Sequence, residues 1–134
     1  MSSTPALLIG KSLQTSLTVK DLPTSVKWYV DVVGFKVDRK MERDGTLRGA
    51  AVSAGDVRII LNQDDGKKGW DRVKGLGFSL QITTAQSIDE IAQQITSRGG
   101  VLELEPQDMP WGARVCRVQD PDGYRWTISR PSAT

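Results

Sequence analysis

Residues 13–22 read LQTSLTVKDL, and they predict a strand followed by the start of a helix. Apolar and polar residues alternate along the strand, so one of its faces is apolar and the other polar. The segment 21–23, Asp-Leu-Pro, is typical of a helix start because proline has no amide hydrogen to lose in the first turn. We expect the apolar face to pack on that helix. The apolar face carries Leu13, Leu17 and Val19, and the polar face carries Gln14, Ser16 and Thr18.

Working outward from this stretch, the same order of elements occurs twice. The first helix ends near Gly34 and is followed by three strand candidates, residues 35–41, 47–53 and 57–62, with turn signals at 44–45 and 55–56. After a polar, glycine-rich connector at 63–75, a strand at 77–83 precedes a second helix that begins with a capping box at Ser87 and Glu90. Three further strands are predicted at 101–105, 113–119 and 124–129.

This internal repeat predicts an α+β fold. We expect two tandem βαβββ units, at about 12–63 and 76–130, that form a curved mixed sheet around a cleft. Together the units make one domain over residues 11–130, with tails at 1–10 and 131–134. The polar face of the first strand would then point into the cleft.

The composition excludes several classes of function. The chain has 134 residues, which fits one domain, and its net charge of +2 offers no basic surface for nucleic-acid binding. It contains no histidine, which excludes Ser-His-Asp and Cys-His nucleophiles and histidine-ligated metals. The single cysteine, Cys116, excludes a disulfide within the chain and fits a reducing compartment, so we expect a cytoplasmic protein. No apolar run is long enough to span a bilayer.

Four segments identify a family resemblance. They are SLTVKDL (16–22), WYVDVVGF (28–35), PWGAR (110–114) and QDPDG (119–123). With the repeated order of elements, they resemble the vicinal-oxygen-chelate superfamily, which contains glyoxalase I, extradiol dioxygenases and the bleomycin-resistance proteins. The last two segments are most similar to the bleomycin-resistance and related antibiotic-binding branch. The resemblance implies paired subunits, with clefts completed in a homodimer.

The same resemblance implies a metal site whose usual ligands are missing here. Enzymes of the superfamily commonly hold a divalent metal with four side chains, and the corresponding positions are Gln14, a residue near Gly77, Thr127 and one residue within 57–61. None of these is histidine or a carboxylate, and such metals need several imidazole, thiolate or carboxylate ligands. We therefore expect no metal, no cofactor and no catalytic residue of the usual kind.

Aromatic and polar residues near the expected cleft are the candidate site. Trp111 lies in a loop between proline and glycine, and Trp70 lies in the connector, so both are candidates for flat walls against an aromatic ligand. Trp28 and Trp126 are expected in the core. Arg114 is a candidate for a ligand carboxylate or phosphate, as are Arg58 and Arg125 with less support. The predicted ligand-binding residues are Gln14, Ser16, Trp70, Trp111, Arg114 and Thr127.

Other conspicuous residues are assigned to structure. Asp120 and Asp122 belong to a turn, Cys116 is a small strand residue, and the connector segment 64–68 is a solvated loop.

The sequence thus favours metal-independent binding of a small, partly aromatic molecule, similar to antibiotic sequestration. One alternative is a glyoxalase- or dioxygenase-like metalloenzyme with an atypical site. A second is an interaction domain with no small ligand. No nucleic-acid or membrane partner is expected.

Overall fold

The computed structural model describes residues 7–132. The outer parts of the two predicted tails, residues 1–6 and 133–134, lie outside the described residues. The elements follow the predicted order of two βαβββ units: β1 (Thr15–Val19), α1 (Leu22–Asp31), β2 (Lys36–Arg43), β3 (Thr46–Ala54), β4 (Val57–Gln63), β5 (Leu80–Thr83), α2 (Ile88–Ser97), β6 (Leu102–Asp108), β7 (Arg114–Gln119) and β8 (Arg125–Arg130).

Both helices begin at the predicted caps. The Asp21 carboxylate accepts a hydrogen bond from the Thr24 amide at 3.2 Å, and the Ser87 hydroxyl accepts one from the Glu90 amide at 3.3 Å. Each bond satisfies an amide that the helix itself leaves unpaired. Neither α1 nor α2 is long and apolar enough to cross a membrane.

The strands form two four-stranded mixed sheets. The strand order is β1-β4-β3-β2 in the first sheet and β5-β8-β7-β6 in the second. Each unit therefore has one parallel pair, β1 with β4 or β5 with β8, and antiparallel pairs elsewhere. The α+β prediction and the tandem βαβββ units are confirmed, with the strands divided between two sheets.

One apolar core joins the two units. Leu17 and Val19 of β1, Leu22 and Tyr29 of α1 and Trp126 of β8 are buried in the same cluster. The ring of Tyr29 packs edge-on against Phe35 at 5.5 Å and against Trp126 at 6.0 Å between ring centroids. The core assignment of Trp126 is confirmed, and Trp28 packs partly buried against the same cluster.

The prediction that Leu13 packs on the helix is wrong. Its side chain is 94% exposed, because pairing between β1 and β4 starts only at Thr15 and Ile59 and leaves Leu13 before the strand.

A buried polar hub fixes one unit to the other. The Tyr29 hydroxyl donates to Asp120 Oδ2 at 2.6 Å and accepts from Trp126 Nε1 at 2.9 Å. The other carboxylate oxygen of Asp120 accepts from the amides of Asp122 and Tyr124, each at 2.9 Å. Burial raises the pKa of the Asp120 carboxyl. The predicted turn is confirmed, and its first aspartate also anchors α1.

The connector is more ordered than the sequence suggested. Asp64 was expected in a solvated loop, but its side chain is only 4% exposed. Its carboxylate oxygen Oδ2 forms ion pairs with Lys74 Nζ and with Arg72 Nε, each at 3.2 Å. The pKa of Asp64 is lowered to about 2, mainly by the hydrogen bond from the Gly66 amide and to a smaller extent by Lys74 and Arg72. The connector folds back on itself because its two ends share this buried ion pair.

Candidate functional site

Each sheet has an inner face, which packs on the common core, and an outer face turned the other way. In β7 and β8, Cys116, Val118, Trp126 and Ile128 belong to the core. Strand side chains alternate between faces, so the residues between these four lie on the outer face. The outer face of the second sheet therefore carries Arg117, Gln119, Arg125 and Thr127.

A polar network organises this outer face. Arg117 Nε donates to Thr127 Oγ1 at 3.1 Å. Glu103 of β6 lies 3.3 Å from Arg125 Nε and 3.8 Å from Arg117 Nη1 through the same oxygen, Oε1. Gln119 donates from its amide to Glu103 as well. One carboxylate thus orients two arginines and one amide side chain.

A cleft of about 670 Å³ adjoins the network. Its polar wall includes Arg117, Gln119 and Arg125, and its apolar wall includes Leu76 and Phe78 from the segment before β5. Leu76 is 76% exposed and Phe78 is 48% exposed, although Phe78 contacts the ring of Tyr124. Ligand sites in proteins are typically concave, of this volume, and combine an apolar surface with a few polar groups.

The outer face of the first sheet is polar and small. Leu17 and Val19 face the core, so Ser16 and Thr18 lie on the outer face. Asn62 of β4 donates from its amide to the Ser16 hydroxyl. On β3, a Cβ at Gly49 would lie 2.8 Å from Met41 Cε, so the glycine lets this methionine lie close to the sheet.

A second cleft, of about 650 Å³, lies between the units on the inner side. Its walls come from the end of α1, the β3–β4 turn and α2, and its lining includes Val33, Phe35, Ile91 and Trp126. Glu90, Asp56 and Arg98 are its charged residues. None of the predicted ligand-binding residues lines this cleft.

The three polar candidates are placed on separate elements. Ser16 lies on the outer face of the first sheet, and Thr127 lies on the outer face of the second, where Arg117 bonds to it. Gln14 is exposed and precedes β1 by one residue. A single chain therefore does not bring the two polar faces together in one sheet.

The remaining candidates are exposed or already paired. Trp70 is 50% exposed and covers Gly66, whose Cβ would lie 2.4 Å from the indole ring; Trp111 is 72% exposed in the β6–β7 turn. Arg114 binds Asp89 with two nitrogens at 2.8 and 2.9 Å and Asp108 with the third at 3.0 Å. These carboxylates raise the pKa of Arg114. They also tie the start of α2 to β7.

The sequence analysis named two residues of the polar network, Thr127 and Arg125, and missed the other three. Arg117, Gln119 and Glu103 were not candidates, and Phe78 was not considered as a wall. The signal was present for Arg117 because it alternates with Cys116 and Val118, which are apolar strand residues.

Comparison with known proteins identifies the family. Residues 11–128 match the family model described as the Glyoxalase/Bleomycin resistance protein/Dioxygenase superfamily. The chain belongs to this superfamily. The resemblance drawn from the four sequence segments is confirmed.

Two relatives that match most of the chain carry the same name. A "Probable lactoylglutathione lyase" of Synechocystis sp. is 30% identical over 127 residues, covering 90% of this chain and 95% of that protein. The "Probable lactoylglutathione lyase" of Vibrio parahaemolyticus is 32% identical over 123 residues and covers 86% of each chain.

Solved structures share the fold. TioX from Micromonospora sp. ML1 has a TM-score of 0.71 at 25% identity, covering 90% of this chain and 98% of its own. TnmS3, an antibiotic binding protein from Streptomyces sp. CB03234, has a TM-score of 0.71 at 22% identity and covers 95% of this chain and 100% of its own.

Enzymes of the superfamily commonly hold a divalent metal, and the residues of this chain do not fit one. Within residues 7–132, no three side chains of the aspartate, glutamate, cysteine or histidine type come together in a way that could hold a metal ion. At Thr127 the neighbouring group is the guanidinium of Arg117, whose positive charge would repel a cation. The outer faces offer hydroxyls, amides and guanidinium groups, and the carboxylate of Glu103 is already paired with two arginines, so this set suits an organic ligand better than a metal.

Proposed function

We propose that this protein binds a small, partly aromatic molecule without a metal ion. The outer face of the second sheet carries the proposal, because there a cleft of about 670 Å³ joins fixed polar groups to exposed apolar side chains. Phe78 offers a flat surface, and Arg117, which is held in place by its bond to the buried Thr127, offers its remaining donors. The same fold serves antibiotic binding in TnmS3, so this fold is able to hold such molecules.

We also propose that two copies pair so that the polar outer face of the first sheet completes the cleft of a partner. Gln14, Ser16 and Thr127 would then supply polar contacts, and Trp70 and Trp111 would lie around the ligand, whereas Arg114 would reach the ligand only by giving up its bonds to Asp89 and Asp108. The exposed apolar residues Val73, Leu76 and Phe78 beside the cleft support this pairing, because a second copy would bury them. Sedimentation at several protein concentrations tests it, and a strictly monomeric protein would contradict it.

Tryptophan fluorescence tests ligand binding directly. Trp70 and Trp111 are exposed while Trp126 is buried, so a bound aromatic compound should quench the exposed pair first. We expect quenching by members of a panel of aromatic, glycopeptide-like compounds, and we expect Trp111→Ala to remove most of it. Val101→Ala is the matched control, because Val101 is an apolar residue as exposed as Trp111, at 81%, and does not belong to the proposed ligand-binding set. A panel that leaves the fluorescence and the melting temperature unchanged would count against ligand binding.

The second candidate is a glyoxalase-like metalloenzyme with an atypical site, which the lactoylglutathione lyase names of two relatives favour. Metal analysis of the purified protein separates the two functions. Stoichiometric Zn, Ni, Fe or Mn that is lost on Gln14→Ala substitution would support the enzyme and overturn metal-independent binding. We further propose a cytoplasmic location, which fits the free, buried thiol of Cys116.

A further inference from the structure

The two arginines on the outer face of the second sheet carry more charge than their surroundings neutralise. Arg117 pairs across the strands with Thr127, and Gln119 pairs with Arg125, so the two arginines are diagonal neighbours on one face. Glu103 is the carboxylate that contacts both. Two guanidinium groups against one carboxylate leave one positive charge in excess at this place.

Arg125 is the less constrained of the two. Its side chain is 54% exposed, against 36% for Arg117. Arg117 is held by its bond to Thr127, whereas the guanidinium of Arg125 meets Glu103 as an ion pair at 3.3 Å and donates no hydrogen bond to another group within residues 7–132. A guanidinium has a planar fork of donors suited to two oxygens of one anion. Arg125 therefore keeps free donors on the wall of the cleft.

Part of the lining of the same cleft is apolar. Phe78 and Leu76 line it and are 48% and 76% exposed, although exposed side chains of this size would gain from burial. Of the other polar residues that line the cleft, Gln119 is directed to Glu103, and Lys74 and Asp122 face each other as an ion pair at 3.8 Å. A ligand that filled the cleft would thus meet both apolar side chains and a cationic fork.

We propose that the ligand class is an aromatic or flat apolar molecule that carries an acidic group, a carboxylate, sulfonate or phosphate, which binds Arg125 and Arg117. This inference rests on the proposed function and names its ligand chemistry. Glu103 has a positioning role: it holds the two guanidinium groups in place and lowers the cost of ordering them when the anion binds. The inner cleft, which carries Glu90 and Asp56 against Arg98, has no such excess of positive charge.

Two fluorescent probes that differ only by the acidic group test the inference. Anilinonaphthalene sulfonate carries a sulfonate, and phenylnaphthylamine has the same rings without it. We expect the sulfonate probe to bind the purified full chain more tightly. Raising NaCl from about 50 mM to about 500 mM should weaken binding of the sulfonate probe and leave binding of the neutral probe unchanged, because salt screens exposed charges.

Variants assign the effect to the proposed residues. Arg125→Gln should lower the affinity for the sulfonate probe about tenfold, which corresponds to one charge-assisted hydrogen bond at a half-exposed position. It should leave the affinity for the neutral probe unchanged. Arg117→Gln should act in the same direction. Arg48→Gln, at an exposed position of the first sheet, is the matched control and should change neither probe. Phe78→Ala should weaken both probes equally.

The outcomes separate this inference from the proposed function. If both probes bind equally well, or if Arg125→Gln leaves the sulfonate probe unchanged, the acidic ligand class is wrong and the binding site stands. If Phe78→Ala changes neither probe, the probes bind elsewhere and the inference is overturned. If neither probe binds at any concentration below aggregation, both the inference and the proposed function fail.

Discussion

Removing one hydroxyl group from the buried hub should destabilise the whole domain. In Tyr29→Phe, Asp120 loses a donor at 2.6 Å and the indole nitrogen of Trp126 loses its acceptor at 2.9 Å. A hydrogen bond to a charged group contributes about 1.5–3 kcal/mol, and a buried donor left unpaired costs about 1–3 kcal/mol. These effects overlap, so we expect a loss of about 3 kcal/mol, which lowers the melting temperature of a domain of this size by about 10 °C.

The chain offers a matched control in its second tyrosine. Tyr124 is also buried, but its hydroxyl donates to the neutral carbonyl of Thr18 at 2.8 Å, and within residues 7–132 it has no second hydrogen-bond partner. Tyr124→Phe should therefore cost only about 1 kcal/mol. Urea unfolding of both variants, followed by circular dichroism, measures the two free energies. If Tyr29→Phe costs no more than Tyr124→Phe, the hub does not fix the units together and our reasoning about it is refuted.

Three further predictions concern acid, backbone and thiol behaviour. Because the pKa of Asp64 is lowered from 3.8 to about 2, its stabilising effect is present above pH 3.8 and is lost as the pH falls toward 2. Asp64→Asn should therefore lower the free energy of unfolding at neutral pH and reduce the further loss of this free energy as the pH falls. Asp65→Asn, the control, should leave that loss unchanged. If urea unfolding shows the same pH dependence for both variants, the prediction is contradicted. Gly75→Ala should lower the melting temperature far more than Gly45→Ala. Both glycines have positive φ, but only at Gly75 would the new Cβ meet a backbone atom, the carbonyl oxygen of Gly123, at 2.8 Å. Equal decreases in melting temperature would show that this contact is unimportant. Burial raises the pKa of Cys116 to about 11, so a disulfide reagent at pH about 8 should label it slowly in the native protein and quickly after unfolding; rapid native labelling would disprove its burial.

Local signals in the sequence were sufficient for the fold. The caps at Asp21 and Ser87, the alternation in β1 and the paired turn signals each report on neighbouring residues, and the repeat fixes their order. The prediction that Leu13 packs on the helix was wrong because the length of a strand depends on where its partner strand begins to pair. The alternation within β1 does not reveal that position. The prediction that Asp64 lies in a solvated loop was wrong for a similar reason, because its burial depends on Lys74, which lies ten residues further along the chain.

The candidate site was harder to predict because strand parity decides which face a residue occupies. Arg114 is two residues before buried Cys116, and it reaches Asp89 of α2 on the inner side. Arg117 is one residue after Cys116 and lies on the outer face with Thr127. Both arginines lie in the strand predicted at 113–119, and only the packing of the sheet on its helix distinguishes them.

The division between inner and outer faces also separates stability from recognition. Tyr29 and Asp120 lie on the inner side and are almost fully buried, so changes there cost several hydrogen bonds at once. Arg125 is half-exposed and contacts only the outer network, so Arg125→Gln should change the free energy of unfolding by less than about 0.5 kcal/mol, the usual range for surface positions. Urea unfolding of this variant measures that change. A loss above about 1 kcal/mol would mean that the Glu103 network supports the fold, and a weaker affinity of the variant could then reflect instability of the protein instead of a lost contact with the ligand.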